Sequence, residues 1–199
     1  MSACATLVTG VLLLTLGSGL AFGAEEKVNP GITITDIHGV AQKPFEAHGK
    51  AALVFFITDD CPISNRYARE IHRICEAYAS SAKCTLAYID GDLTPAKVEK
   101  HMAEFGHSGY PAVIDGKQVL VKAAGATVTP EAAVILPDGK IAYRGRIDNM
   151  WATWGQSRRE ATEFDLRNAL DQVIAGKSVA TPRTKAVGCY ITPVELLGR

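Results

Sequence analysis

The chain has 199 residues, 47% of them hydrophobic, enough for one globular domain with a proper core. Lysine plus arginine and aspartate plus glutamate balance at 21 each, so there is no net field to recruit nucleic acid or an anionic membrane. Those partner classes are set aside.

Residues 5–20 carry no charge and include VLLLTLGSGL, and charge begins only in AFGAEEK. An apolar core ahead of the small residues Ala21 and Gly23 reads as an export signal over 1–23, cleaved near Gly23. The alternative is an uncleaved anchor, for which the run is short. Cys4 would leave with the signal. The expected organisation is a folded domain over 24–180 and a tail over 181–199, in a periplasmic or otherwise exported protein with no membrane span once the signal is gone.

ITITD (32–36) alternates and predicts a strand. AALVFFIT (51–58) is a continuous apolar run of strand length, suited to a strand buried on both faces. After Cys61, Pro62 suits the first turn of a helix, where its missing N–H costs nothing. Ile63, Tyr67, Ile71, Ile74 and Tyr78 then recur at helical spacing, predicting an amphipathic helix to about Ser80. CTLAYID (84–90) predicts another strand. Thr94 and Pro95 cap and start a second helix that buries Val98, Met102 and Phe105 and ends at Gly106. YPAVID predicts a short strand, and KQVLVKAAG a short helix closed by Gly125. EAAVIL and KIAYRGRI flank PDG as a hairpin. Thr162 and Asp165 read as a capping box for a last helix carrying Leu166, Leu170, Val173 and Ile174 and ended by Gly176. Such alternation followed by a hairpin implies an α/β fold, a mixed sheet with helices on both faces.

Beyond the leader the chain keeps Cys61, Cys75, Cys84 and Cys189, an even number suited to a compartment where disulfides persist. There is no CxxC and no Cys/His pair at zinc spacing, so no metal or other cofactor is expected. Cys75 and Cys84, nine residues apart, either clip a helix end to the sheet or are buried apolar residues.

A buried strand ending in Cys-Pro at a helix start, DCPISNRYAREI, together with TPEAAVILPDGKIAYRGRID and TKAVGCYI, resembles the thioredoxin-like superfamily. Within it the chain is similar to the exported redoxins, related to peroxiredoxins and thiol–disulfide oxidoreductases, over roughly residues 30–191. The resemblance implies a thioredoxin-like fold and makes Thr129-Pro130 the cis-proline loop that faces the active cysteine. It departs from the CxxC pattern, since the motif is Cys61-Pro62-Ile63-Ser64.

A thiolate is the nucleophile in thiol chemistry, and a helix N-terminus stabilises it by dipole and free N–H groups. Cys61 sits at such an end, with the Ser64 hydroxyl in reach of its sulfur from the first turn. Asp59 and Asp60 oppose the charge. A carboxylate about 6 Å away costs the thiolate roughly 2–3 kcal/mol at an effective dielectric of 20. The helix end returns about 0.3–2 kcal/mol, so the two nearly cancel. A buried, inert cysteine is the plain alternative. Because Ser64 cannot close a disulfide, a mixed disulfide or sulfenic acid on Cys61 needs another thiol. Cys189 is the better internal candidate, in a tail without helical periodicity that can fold back over the active face.

The expected activity is thiol–disulfide exchange by Cys61 with Cys189 as resolving thiol, while Thr129 and Pro130 orient the substrate sulfur. The alternatives are a peroxiredoxin-like peroxidase and a non-catalytic thiol-trapping module. Partners would be a protein thiol or disulfide, or a peroxide, and a thiol reductant. Arg144, Arg146 and Asp148 read as a solvated ion-pair cluster. Trp151 and Trp154 read as a loop packed on the core, with a substrate groove as the other possibility.

Overall fold

The computed structural model describes residues 25–196, and the expected export signal lies outside them. In chain order the elements are β1 (Ile34–Thr35), β2 (Ala41–Gln42), β3 (Ala51–Ile57), α1 (Pro62–Tyr78), β4 (Ala82–Tyr88), α2 (Pro95–Phe105) and β5 (Ala112–Ile114). Then follow α3 (Val119–Ala124), β6 (Val128–Thr129), β7 (Glu131–Ile135), β8 (Ile141–Gly145), β9 (Trp151–Thr153), β10 (Gln156–Ser157), α4 (Asp165–Ile174) and β11 (Cys189–Tyr190).

Five strands form one mixed sheet in the order β5-β4-β3-β7-β8. β3, β4 and β5 run parallel, while β7 is antiparallel to β3 and to β8. The central strand β3 is buried along its whole length. Side chains of a strand alternate between faces, so Leu53, Phe55 and Ile57 join a core with Ile71, Met102 and Leu170 from α1, α2 and α4. Val54 and Phe56 point the other way and meet Leu120 and Ala124 of α3 and Phe45. With helices on both faces, β3 has no solvent side, which is why its sequence is continuously apolar. Each large side chain withdrawn from water here contributes about 1.5–3 kcal/mol.

The helix ends follow local chemistry. The Thr94 side chain accepts from Lys97 N, and Gly106 closes α2 in the left-handed conformation. The Asp115 carboxylate takes the amides of Val119, Leu120 and Val121, holding the first turn of α3. Two expectations are corrected. ITITD forms a strand only over Ile34–Thr35, with Asp36 an isolated bridge to Val113, because the Asp36 carboxylate accepts from His38 N and Val40 N and turns the chain. The Thr162/Asp165 capping box does not form. Phe164 stands at the N-cap without a side-chain cap, Thr162 exchanges hydrogen bonds with Asn149, and Asp165 accepts from Arg146 Nε at 2.7 Å.

Cys75 and Cys84 are disulfide-bonded, with Cα atoms 5.7 Å apart, tying the last turns of α1 to β4. The first of the two readings left open by their spacing therefore holds. Their separation of nine residues closes a short loop in the unfolded chain. Replacing both by alanine is expected to lower stability by about 2–3 kcal/mol on the chain-entropy account, measured by urea unfolding with the thiols blocked.

Candidate active site

β3 delivers the chain to Thr58, where a short loop precedes α1. The Thr58 hydroxyl donates to Asp60 Oδ1 at 3.1 Å, and Asn65 Nδ2 donates to the Asp59 carbonyl at 2.8 Å. The loop is thereby sewn to the helix it introduces. Cys61 occupies the N-cap position with extended φ/ψ, Pro62 is the first helical residue, and the Cys61 carbonyl accepts from Asn65 N at 3.0 Å. Cys61 is 1% exposed.

The remaining candidates converge on this sulfur. The Thr129–Pro130 peptide bond is cis, and the Cys61 thiol donates to the Thr129 carbonyl at 3.2 Å. Ser64 is buried in the first turn of α1. Cys189 arrives from the far end of the chain because β11 pairs antiparallel with β6, setting Cys189 opposite Thr129 and Tyr190 opposite Val128. Alternation along this strap turns Cys189 inward and leaves Tyr190 86% exposed. A Cβ on Gly188 would lie 2.0 Å from the Thr129 carbonyl oxygen, so only glycine allows the strap to approach this closely. Glu131 braces β6 from beneath, its Oε2 accepting from Thr127 N at 2.7 Å and Val128 N at 3.3 Å.

The two thiols share protons unequally. Burial pushes Cys61 up, but hydrogen bonds from Cys189, from the Ser64 amide and hydroxyl, and from Thr129 outweigh it and hold Cys61 below the ordinary thiol range. Burial first, then the hydrogen bond to Cys61 and its charge, with Asp60 beyond, push Cys189 up to about 12. Of the two, Cys61 therefore ionises first and Cys189 keeps its proton. Asp60 opposes ionisation of Cys189, and the near-cancellation expected at Cys61 gives way to a net lowering. Ser64 Oγ and Thr129 Oγ1 are buried and have no hydrogen-bond partner while Cys61 is a thiol donating to the Thr129 carbonyl. A thiolate at that position is what would satisfy them.

Cavities open on both sides of the strap. One, about 940 Å³, is lined by Trp151, Trp154, Glu131, Arg144, Lys185 and Cys189. Trp151 packs against the core, as one reading of this segment has it, while Trp154 on the β9–β10 turn is 62% exposed and lines the same cavity. The other cavity, about 330 Å³, touches Thr58, Asp60, Asp90, Gln118, Thr129 and Cys189. Among the described residues no group of three or more His, Cys, Asp or Glu side chains is placed to hold a metal ion. Arg144 and Arg146 are ion-paired as expected, with Glu26 and with Glu163 and Asp165, but they are half-buried and Asp148 stands apart, which corrects the expectation of a solvated cluster. Arg144 donates to the Ala124 carbonyl at 2.7 Å, Arg146 bonds Asp165, and Asp148 is buried, accepting from the Tyr67 hydroxyl at 2.6 Å.

Sequence reasoning missed a buried polar chain behind Cys61. His101 Nε2 meets Asn65 Oδ1 at 2.9 Å and its Nδ1 meets the Tyr88 hydroxyl at 2.9 Å. Because Asn65 offers an oxygen there, the imidazole carries its proton on Nε2 and accepts at Nδ1. Burial holds His101 below the ordinary histidine range, so it stays neutral. Its signal was present, since His101 falls on the same apolar stripe of α2 as Val98 and Met102. Gln118 was also missed, and no local pattern marks it.

No family model and no curated protein matches the chain. Among solved structures it is similar to an uncharacterized conserved protein from Geobacillus kaustophilus, with a TM-score of 0.72 at 22% identity over 84% of this chain and 90% of that one. A thioredoxin-like protein from Aeropyrum pernix matches with a TM-score of 0.52 at 15% identity, over 73% of this chain and 88% of that one. A thiol-disulfide oxidoreductase from Bacteroides fragilis matches with a TM-score of 0.51 at 18% identity, over 59% and 89%. These likenesses show the fold alone: the chain has a thioredoxin-like fold, as its Cys-Pro and Thr-Pro motifs imply.

Reactivity should follow the proton distribution. Alkylation of Cys61 is expected to persist to a pH below that of an ordinary thiol and to fade as pH falls through its lowered value, while Cys189 becomes reactive only in strong alkali. Ser64→Ala removes one donor to the charged sulfur and should slow Cys61 alkylation at pH 7 roughly tenfold, as loss of a hydrogen bond to a charged group does. Mass-resolved alkylation rates against pH check both.

Proposed function

We propose that this thioredoxin-fold chain is an exported thiol–disulfide oxidoreductase in which Cys61 is the nucleophile and Cys189 the resolving thiol. The observation that carries the reading is the seating of Cys189 against Cys61 by the β11–β6 pairing, with Cys61 ionising first and Cys189 keeping its proton. The oxidoreductase of the same fold from Bacteroides fragilis is a precedent for such chemistry on this scaffold.

In the reductive direction the Cys61 thiolate attacks one sulfur of a substrate disulfide, forming a mixed disulfide and expelling the other sulfur as a thiolate. Cys189 gives its proton to the expelled substrate thiolate and attacks Cys61, forming the Cys61–Cys189 disulfide and releasing the second substrate sulfur as a thiolate. The substrate gains two electrons and the protein dithiol loses them; an external thiol reductant restores the dithiol. Thr129 and Pro130 wall the sulfur and orient the incoming one. The Ser64 and Thr129 hydroxyls hold the charge on Cys61 before attack and whenever it departs as a leaving group.

Burial of Cys61 favours a second reading as a peroxidase, because a small peroxide needs less access than a protein disulfide. There the thiolate attacks a peroxide oxygen, giving a sulfenic acid and water or an alcohol, and Cys189 condenses with it, releasing water and forming the same disulfide. Export is supported by the Cys75–Cys84 bridge, a bond that persists in oxidising compartments, and by the uncharged run at 5–20. No helix among the described residues is long and apolar enough to cross a membrane.

Stopped-flow reaction of the reduced protein with a protein disulfide and, separately, with hydrogen peroxide distinguishes the two readings. In either, Cys61→Ser should abolish the first attack. Cys189→Ser should keep it, accumulate mixed disulfide or overoxidised sulfur, and lose multiple turnover without added thiol. Unchanged turnover of Cys189→Ser with its usual reductant would show that resolution comes from outside the chain. Intact mass of the native protein should begin near Ala24; Met1 retained in soluble cytoplasmic protein overturns export.

A further inference from the structure

The strap that carries Cys189 is held at a second point, beyond β11. Gln118 is the one non-glycine residue with positive φ, at 54°, among the described residues. A glutamine in this region is costly, and such a conformation persists only where its surroundings enforce it. The backbone is enforced from both sides: Gln118 N donates to the Asp115 carbonyl at 2.7 Å, and its own carbonyl accepts from Lys122 N at 3.0 Å. The side chain, 3% exposed, turns toward the tail. Its Nε2 donates to the Thr192 carbonyl at 2.7 Å and its Oε1 accepts from Val194 N at 3.0 Å.

One amide thus takes a carbonyl and an N–H two residues apart, where the chain leaves β11 and enters the single 3-10 turn Val194–Leu196. It continues the ladder of β6 and β11, whose last rung is Ile191 N to the Thr127 carbonyl at 3.0 Å. Pro193, between the two clamped residues, offers no N–H and needs none. On the other side of Cys189, Gly188 presses against Thr129. The strap is therefore pinned at both ends, and what lies pinned between them covers Cys61, which is 1% exposed.

We propose that Gln118 is a positioning residue for the Cys61–Cys189 couple: its side-chain amide sets the effective concentration of Cys189 at Cys61, and the strap leaves this clamp before a thiol or disulfide of another molecule reaches Cys61. The first half of this proposal rests on the redox reading above; the second half rests on geometry alone. With the clamp closed, the internal thiol is favoured as partner. With it open, Cys61 meets external sulfur. Gln118 touches neither sulfur, so it acts only through the strap.

The test uses the full chain and Gln118→Gly, since glycine adopts this backbone freely and removes only the amide. Two measurements are made: the alkylation rate of Cys61 by iodoacetamide, resolved by peptide mass, and the equilibrium of the Cys61–Cys189 disulfide against glutathione. Loss of two neutral hydrogen bonds of ordinary net strength should raise the open fraction, and with it Cys61 alkylation, roughly tenfold. The equilibrium constant for the Cys61–Cys189 disulfide should fall by a similar factor, with the thermal midpoint unchanged and Cys75–Cys84 intact. A residue of merely structural importance would move the midpoint and leave the glutathione equilibrium alone. Equal Cys61 alkylation in parent and variant overturns the clamp. A parent that forms no Cys61–Cys189 disulfide at any glutathione ratio overturns the redox reading instead, while the alkylation comparison still decides whether Gln118 gates access.

Discussion

The antiparallel pairing of two residues, Cys189 and Tyr190 on Thr129 and Val128, is the constraint on which the site depends. A two-stranded ladder this short is not stable by itself in water. Here it is anchored to a rigid partner, because β6 runs directly into β7 of the central sheet and its amides are tied down by the buried Glu131 carboxylate. Register matters as much as existence. A slip of one residue would turn Cys189 to solvent and Tyr190 inward, and the thiol pair would be lost. The close approach at Gly188 guards against that slip by fixing the depth at which the strap lies.

Pairing the thiols also settles where the charge sits. Both sulfurs are drawn out of water, which raises each, yet Cys61 has donors from Cys189, Ser64 and Thr129 around it where Cys189 has Thr129. The Ser64 amide comes from the first turn of α1, where backbone N–H groups have no helical partner. The Thr129 hydroxyl comes from β6, and the Cys189 thiol from the strap. Three segments distant in sequence thus stabilise one negative charge. The acidic loop residues spend their hydrogen bonds on Thr58 and Asn65, shaping the approach to the helix.

What was legible along the chain follows the range of the forces involved. The apolar run of β3, the stripe of α1, the caps at Thr94, Gly106 and Gly125 and the PDG hairpin are each encoded within a few residues, and each forms. Misreadings fall where a local signal meets a distant competitor. Thr162 and Asp165 have the spacing of a capping box, but Asn149 and Arg146 take their side chains. Asp36 sits in an alternating pattern, but its carboxylate finds two amides ahead and ends the strand. Arg144 and Arg146 look like surface charges, yet each is drawn against buried backbone or carboxylate.

Local sequence marks most elements of the central scaffold and singles out Cys61, at the mouth of a helix after a buried strand, as the reactive candidate. Those signals are local periodicity and capping, which a chain displays without being folded. Which thiols face each other is set by folding, which joins Cys75 to Cys84 and brings Cys189 to Cys61. It also sets which sulfur ionises first, and it brings His101 and Gln118 into the surroundings of the site. The reason is physical. A proton is shared, and a strap is held, by atoms that meet only after the sheet has formed, and composition or spacing cannot encode the distance between them.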